Sequence, residues 1–150
     1  MYRVFFVLLA TLFYLPLANA DNGIITAKSP YTVEETLDRF EQAVMKKGMT
    51  IFTRIDHAEG AAKVGKQLPP TVVLIFGNPN IGTLLMQSKQ TVAIDLPLKL
   101  LVWEDHAGQV WVAYNDPGYL ANRHAITGRD PVVEKMRKAM SHFTATATAR

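Results

Sequence analysis

The sequence predicts an α+β domain in two layers. A mixed sheet of about five strands is flanked by helices in the order β-α-β-α-β-α-β-β-α-α. Three observations carry this reading. Apolar residues recur at helical spacing in two capped segments, 33–47 and 131–143. Apolar, β-branched and aromatic runs stand between turn residues at 23–28, 49–56, 71–76, 98–105 and 109–115. The length of 150 residues, with 49% hydrophobic and 19% charged, fits one globular domain and argues against disorder. The chain has no cysteine, which excludes a disulfide scaffold, a thiolate metal site and a cysteine nucleophile.

The first twenty residues read as a leader rather than as fold. Arg3 precedes an uncharged apolar run from Val4 to Leu15, followed by Pro16 and the small triplet Ala18-Asn19-Ala20. This is the order of a secretory signal peptide over residues 1–20, with cleavage after Ala20. A membrane-spanning helix needs about 20 apolar residues, and Pro16 and Asn19 interrupt this run too early. The expected mature protein is therefore secreted, has no membrane attachment after cleavage, and forms a single domain over 21–143 with a frayed tail at 144–150. Without Arg3 the basic count falls from 16 to 15 against 13 acids, a net charge of +2. That balance, with no basic stripe interleaved with aromatics, does not point to nucleic acid.

The first strand spans 23–28 and is broken by Ser29-Pro30-Tyr31. Thr32 through Glu35 form a capping box, in which the Thr32 hydroxyl accepts from the Glu35 N–H and Glu35 reaches back. The helix that follows places Val33, Leu37, Phe40 and Val44 on one face. It carries acids at its start and Lys46 and Lys47 at its end, and stops at Gly48. The second strand should place Met49, Ile51 and Ile55 on one face. A small-residue stretch at 57–64 suggests a short helix, and the unbroken apolar run 71–76 suggests a strand buried on both faces. Asn78-Pro79 and Asp116-Pro117 pair an N-cap residue with proline, and Asp130-Pro131 does the same before the last helix, whose stripe is Val133, Met136, Met140 and Phe143. Between Asp95-Leu96-Pro97 and Asn115 lies a hairpin with a three-residue loop, His106-Ala107-Gly108, whose register sets Trp103 opposite Trp111. Both faces of that hairpin are apolar, with Leu101, Trp103, Trp111 and Ala113 on one and Leu100, Val102, Val110 and Val112 on the other. Five helices, several of them short, leave one face for a homodimer to bury.

The chemistry allowed by these residues is narrow. No serine sits in a nucleophile elbow, and there is no phosphate loop or dinucleotide fingerprint. The histidines His57, His106, His124 and His142 show no metal-ligand spacing, so no metal and no cofactor is expected. If the second, third and fifth strands run parallel, their C-terminal ends gather Asp56, His57, Asn78, Asn115 and Asp116, with Asp95 nearby. Glu104, Asp105 and His106 then fall at the far end. Such a rim of strand ends and helix starts suits a small polar or anionic ligand. Simple capping by Asn78 and Asp116 is the plainer explanation of those two residues.

Ile55-Asp56-His57-Ala58, Phe76-Gly77-Asn78-Pro79, Asp95-Leu96-Pro97-Leu98, Trp103-Glu104-Asp105 and Tyr114-Asn115-Asp116-Pro117 together, in this order and spacing, resemble the domain of unknown function 302 family, from about Thr26 to about Phe143. The resemblance implies a compact bacterial or archaeal α+β domain, often dimeric, and directs the export signal toward a periplasm. It assigns no catalytic residue. The residues favour an exported, non-enzymatic binding or accessory module acting as a homodimer, which the resemblance places in a periplasm. The alternatives are a small hydrolase or isomerase using His57 as general base, oriented by Asp56 or Asp95, and a purely structural dimer without a ligand.

Overall fold

The structure, a computed structural model, describes residues 22–150. The expected leader at 1–20 lies outside the described residues. The strands are β1 (Ile24–Ser29), β2 (Thr50–Asp56), β3 (Thr71–Gly77), β4 (Leu98–Glu104) and β5 (Val110–Asn115). The helices are α1 (Val33–Lys46), α2 (His57–Lys63), α3 (Pro79–Ser88), α4 (Pro117–Arg123) and α5 (Asp130–Thr148). The element order matches the sequence reading, with one addition: a single 3-10 turn, Gln90–Ile94, between α3 and β4.

The strands form one sheet in the order β1-β5-β4-β3-β2. Every neighbouring pair is antiparallel, so the sheet is not mixed as expected. The departure lies in β2, which runs opposite to β3 and β5. The connection between β2 and β3 carries only the seven-residue α2, which rises about 10 Å, and β3 returns beside β2 as the other arm of a hairpin.

Helices α1 and α5 cover one face of the sheet. There Leu74, Phe76, Leu100, Val102 and Val112 are buried against Leu37, Phe40 and Val44 of α1 and Met140 and Phe143 of α5. The Phe40 ring meets Phe76 and Phe143 edge-on, with centroids 5.2 and 5.9 Å apart, a preferred geometry for aromatic pairs. Thr32 caps α1 by accepting from the Glu35 N–H at 3.2 Å, and the reciprocal bond of the capping box is absent among the described residues. Gly48 ends the helix region with φ +69°.

Alternation in β3 shows that the second face is open. Val72, Leu74 and Phe76 are buried, while Thr71, Val73 and Ile75 are only half-buried. The strand is thus covered on one side, not on both. A register shift between Ile51 and Thr53 inserts Phe52 as a bulge and reverses the alternation of β2. Ile51 therefore stays with the core, whereas Ile55 pairs beside Val73 on the open face and is 42% exposed. The expectation that Met49, Ile51 and Ile55 share a face fails for this reason. The same reversal aims Arg54 at α1, where its guanidinium donates to Glu34, Asp38 and Glu41, each at 2.6 Å. The Glu41 hydrogen bond, ahead of those to Asp38 and Glu34, raises the Arg54 pKa above its ordinary value against the effect of burial.

The expected frayed tail is also corrected, because α5 continues to Thr148. Thr144 and Ala147 extend the stripe of Met136, Met140 and Phe143 into the core. The alternation of Thr and Ala hides this, since only every third or fourth residue needs to be small and buried. Arg39 of α1 donates to the carbonyls of Thr146, Ala147 and Ala149, and the Tyr31 hydroxyl donates to Ala149. These bonds satisfy last-turn carbonyls that a helix end leaves without partners.

Candidate functional site

Strand direction decides which sequence candidates meet. The ends of β3 and β5 share one rim with the starts of β1, β2 and β4. Asn78, Asp95, Asn115 and Asp116 lie on that rim. Asp56 and His57 follow the reversed β2 to the opposite rim, the one that carries the β4–β5 hairpin tip. There Asp56 caps α2 by accepting from the Glu59 N–H at 2.9 Å. His57 is exposed and has no side-chain hydrogen bond or ion pair among the described residues. It therefore has no carboxylate to orient it.

At the same far rim, Asp105 organises the hairpin. One carboxylate oxygen accepts from the Ala107 and Gln109 N–H groups at 2.9 Å, and the other accepts from the Trp111 indole at 2.8 Å. The indole bond foremost, then the backbone bonds, holds the Asp105 carboxyl below the usual carboxylate range. Trp103 and Trp111 stack in the expected register at 6.3 Å.

Asp95 does have a histidine partner, but it is His124. The His124 Nε2 lies 2.6 Å from Asp95 Oδ2, and its Nδ1 lies 3.2 Å from the Thr91 hydroxyl. Which nitrogen carries the proton follows from the tautomer. Arg123 adds a longer contact to Asp95 at 3.6 Å. Thr91, Asp95 and His124 line neither of the two clefts near the first rim, and their contacts join the 3-10 turn to the end of α4. Sequence reasoning missed it because His124 lies at the C-terminal end of a two-turn helix, 29 residues from Asp95, with no motif joining them.

Two clefts open near the first rim, and α5 divides them. The larger, about 710 Å³, lies at the C-terminal end of β3, within the roughly 300–1,000 Å³ of small-molecule sites. Met49 and Phe52 of the β2 segment, Ile81 and Met86 of α3, Leu96 and Pro97 before β4, and Met136, Ala139, Met140 and Phe143 of α5 make its walls. Gly77 and Gly82 leave room in it, since a Cβ at Gly77 would meet Pro97 and Phe52 carbons at 3.4 and 3.5 Å. Asn78 borders this cleft while accepting from the Asn80 N–H as the cap of α3. The lining includes Lys47, Lys135 and His142, all exposed, and among the described residues no carboxylate.

The smaller cleft, about 610 Å³, is polar and includes Asp116. Asp116 caps α4 through the Gly118 N–H at 3.1 Å and accepts two bonds from Arg137 at 2.9 and 3.1 Å. Asn78 and Asp116 thus share a rim but border separate clefts, and Asn115, exposed in the ladder opposite Ile24, borders neither. The methionine-lined cleft was not legible beforehand. Met136 and Met140 read as core residues because an apolar stripe looks the same against a filled core and against an open cleft. Among the described residues, no three His, Asp or Glu side chains converge as metal ligands.

The model of the family described as "Domain of unknown function DUF302" matches residues 25–143. The chain belongs to the DUF302 family. A solved DUF302 structure, an uncharacterized conserved protein from Bacillus stearothermophilus, superposes with a TM-score of 0.76 at 18% identity, over 84% of this chain and 98% of that one. It shares the α+β fold. Two curated relatives, each named Fluoride-specific ion channel FluC 1, from Brucella suis and Brucella abortus, are 47% identical over 114 residues. The match takes in 75% of this chain but 45% and 42% of those proteins, so the chain spans less than half their length.

Proposed function

We propose that this DUF302 chain is an exported accessory domain that binds a small ligand in the cleft at the end of β3 and works as a homodimer. The observation that carries the reading is the cleft itself: about 710 Å³, walled by apolar side chains and bordered by lysines. The Brucella relatives support the accessory role. Among the described residues no helix is long and apolar enough to cross a membrane, whereas a channel through a bilayer needs spanning segments. In those relatives we therefore place the channel in the part outside the match, with this domain attached to serve it. The leader-like run at 1–20 supports export to a periplasm.

The open face of the sheet supports the dimer. Leu101, Trp103, Trp111, Val73 and Ile75 stand on it half-buried, and Ile24 and Ile55 are 49% and 42% exposed. A contiguous apolar face of this kind marks an interaction surface, and a second copy would pack sheet on sheet. The ligand reading is tested by thermal-shift screening of the mature chain against polar, anionic and apolar compounds. At least one class must raise the melting temperature, and a flat response across all classes removes the reading. The dimer is tested by light scattering of Leu101→Arg, which must run as a folded monomer beside a dimeric wild type. Export is tested by N-terminal sequencing of protein from the periplasmic fraction, which must begin at Asp21.

A further inference from the structure

We propose that the cleft takes a single-chain anionic amphiphile, a free fatty acid, with its tail among the methionines and its carboxylate between Lys47 and Lys135. The inference rests on the reading of this cleft as a ligand site and names the ligand class. Two features decide the class. Met49, Met86, Met136 and Met140 all border the cleft, and unbranched, polarizable methionine side chains adapt to flexible apolar chains. The charged members of the lining are all of one sign. Lys47 at the end of α1 and Lys135 on α5 are exposed, and neither makes an ion pair among the described residues.

The neighbours on α5 make the contrast clear. Lys138 pairs with Glu134 at 3.6 Å, and Arg137 pairs with Asp116 at 2.9 Å. Lys135 alone of these three faces the large cleft, and among the described residues no acid lines it to meet its ammonium. A concave apolar space whose charged border residues are all basic among the described residues fits a ligand with an apolar body and one anionic end. A cationic amphiphile would set like charges together, and a small inorganic anion would leave the apolar walls wet.

Isothermal titration of the protein lacking residues 1–20 tests this. Every element of the described fold lies beyond that segment, and the DUF302 match begins at residue 25, so the titrated protein keeps the whole domain. The probes are dodecanoate, dodecyltrimethylammonium and acetate, all below micelle formation. Dodecanoate must bind at one site, at least about tenfold tighter than the cation of equal tail. Acetate must not bind measurably. Lys47→Gln with Lys135→Gln must weaken dodecanoate by about three- to tenfold, the scale of two partly solvated ion pairs. Ala93→Trp, at an exposed position bordering the cleft, must abolish binding while the melting curve stays cooperative. Equal binding of anion and cation, or unchanged affinity in the lysine variant, overturns the ligand class and leaves the cleft a ligand site. Binding that survives Ala93→Trp overturns the location. Failure of all three probes overturns this inference, while the broader ligand reading then falls only if the full compound screen is flat as well.

Discussion

Replacing Arg39 with methionine tests whether the last turn of α5 is docked, and with it the wall of the large cleft. The variant loses three hydrogen bonds, to Ala147 at 3.0 Å, Thr146 at 3.3 Å and Ala149 at 2.9 Å. It also loses a guanidinium stacked 4.2 Å from the centre of the Tyr31 ring. Hydrogen bonds to a charged group contribute about 1.5–3 kcal/mol when well shielded, but two of these three are exposed and solvent screening cuts them sharply. The cation–π contact adds about 0.5 kcal/mol at an exposed site. A total near 2 kcal/mol follows, or a fall of roughly 5–8 °C in Tm for a domain of this size. Circular dichroism melting reads it directly. The decisive control is the same substitution in a chain ending at Ala145, which lacks all three acceptors. There Arg39→Met must cost no more than the roughly 0.5 kcal/mol of the Tyr31 contact that remains. An equal loss in both backgrounds would mean that Arg39 acts elsewhere and that the C-terminal turn is not held as described.

Three further outcomes follow from single residues. Gly23 has φ +71°, and a Cβ there would run into the Tyr119 ring. Gly23→Ala must therefore destabilise by about 2–4 kcal/mol in urea denaturation, and a neutral result would refute the packing of Tyr119 on the start of β1. Among the described residues the buried Thr144 hydroxyl has no hydrogen-bond partner, so Thr144→Val must raise stability by about 1 kcal/mol, and a loss would show a partner in solution. Asp105 has a carboxyl held below the ordinary value of 3.8. Its contribution is complete above that value and is lost as pH falls through the lower folded-state value. Asp105→Asn must therefore lower Tm at neutral pH and flatten the acid limb of the stability–pH profile. An acid limb identical to wild type would refute this role.

Much of the fold was legible because local chemistry and periodicity agreed. The Thr32 cap, the α1 stripe and the Trp103–Trp111 register each rest on neighbours in sequence, and each stands as read. Three features depended on distant partners. The direction of β2 is set by its antiparallel pairing with β3, which no local motif announces. The bulge at Phe52 is set by pairing with β3, and no turn residue announces it. The docking of residues 144–148 depends on Arg39, more than a hundred positions away. The candidate site shared that fate. Asn78, Asp95, Asn115 and Asp116 share one rim through strand order, though Asn78 and Asp116 border separate clefts, and Asp56 and His57 are carried off with β2. The cleft itself forms between elements whose apolar residues carry no mark of being left uncovered.

A crystal structure of residues 21–150 grown with dodecanoate would show directly whether the cleft is the ligand site. The carboxylate must lie within ion-pair distance of Lys47 and Lys135, and the tail between α3 and α5 against Met86 and Met136. A cleft filled by the protein's own side chains, or dodecanoate seated only on the open sheet face, would contradict that reading.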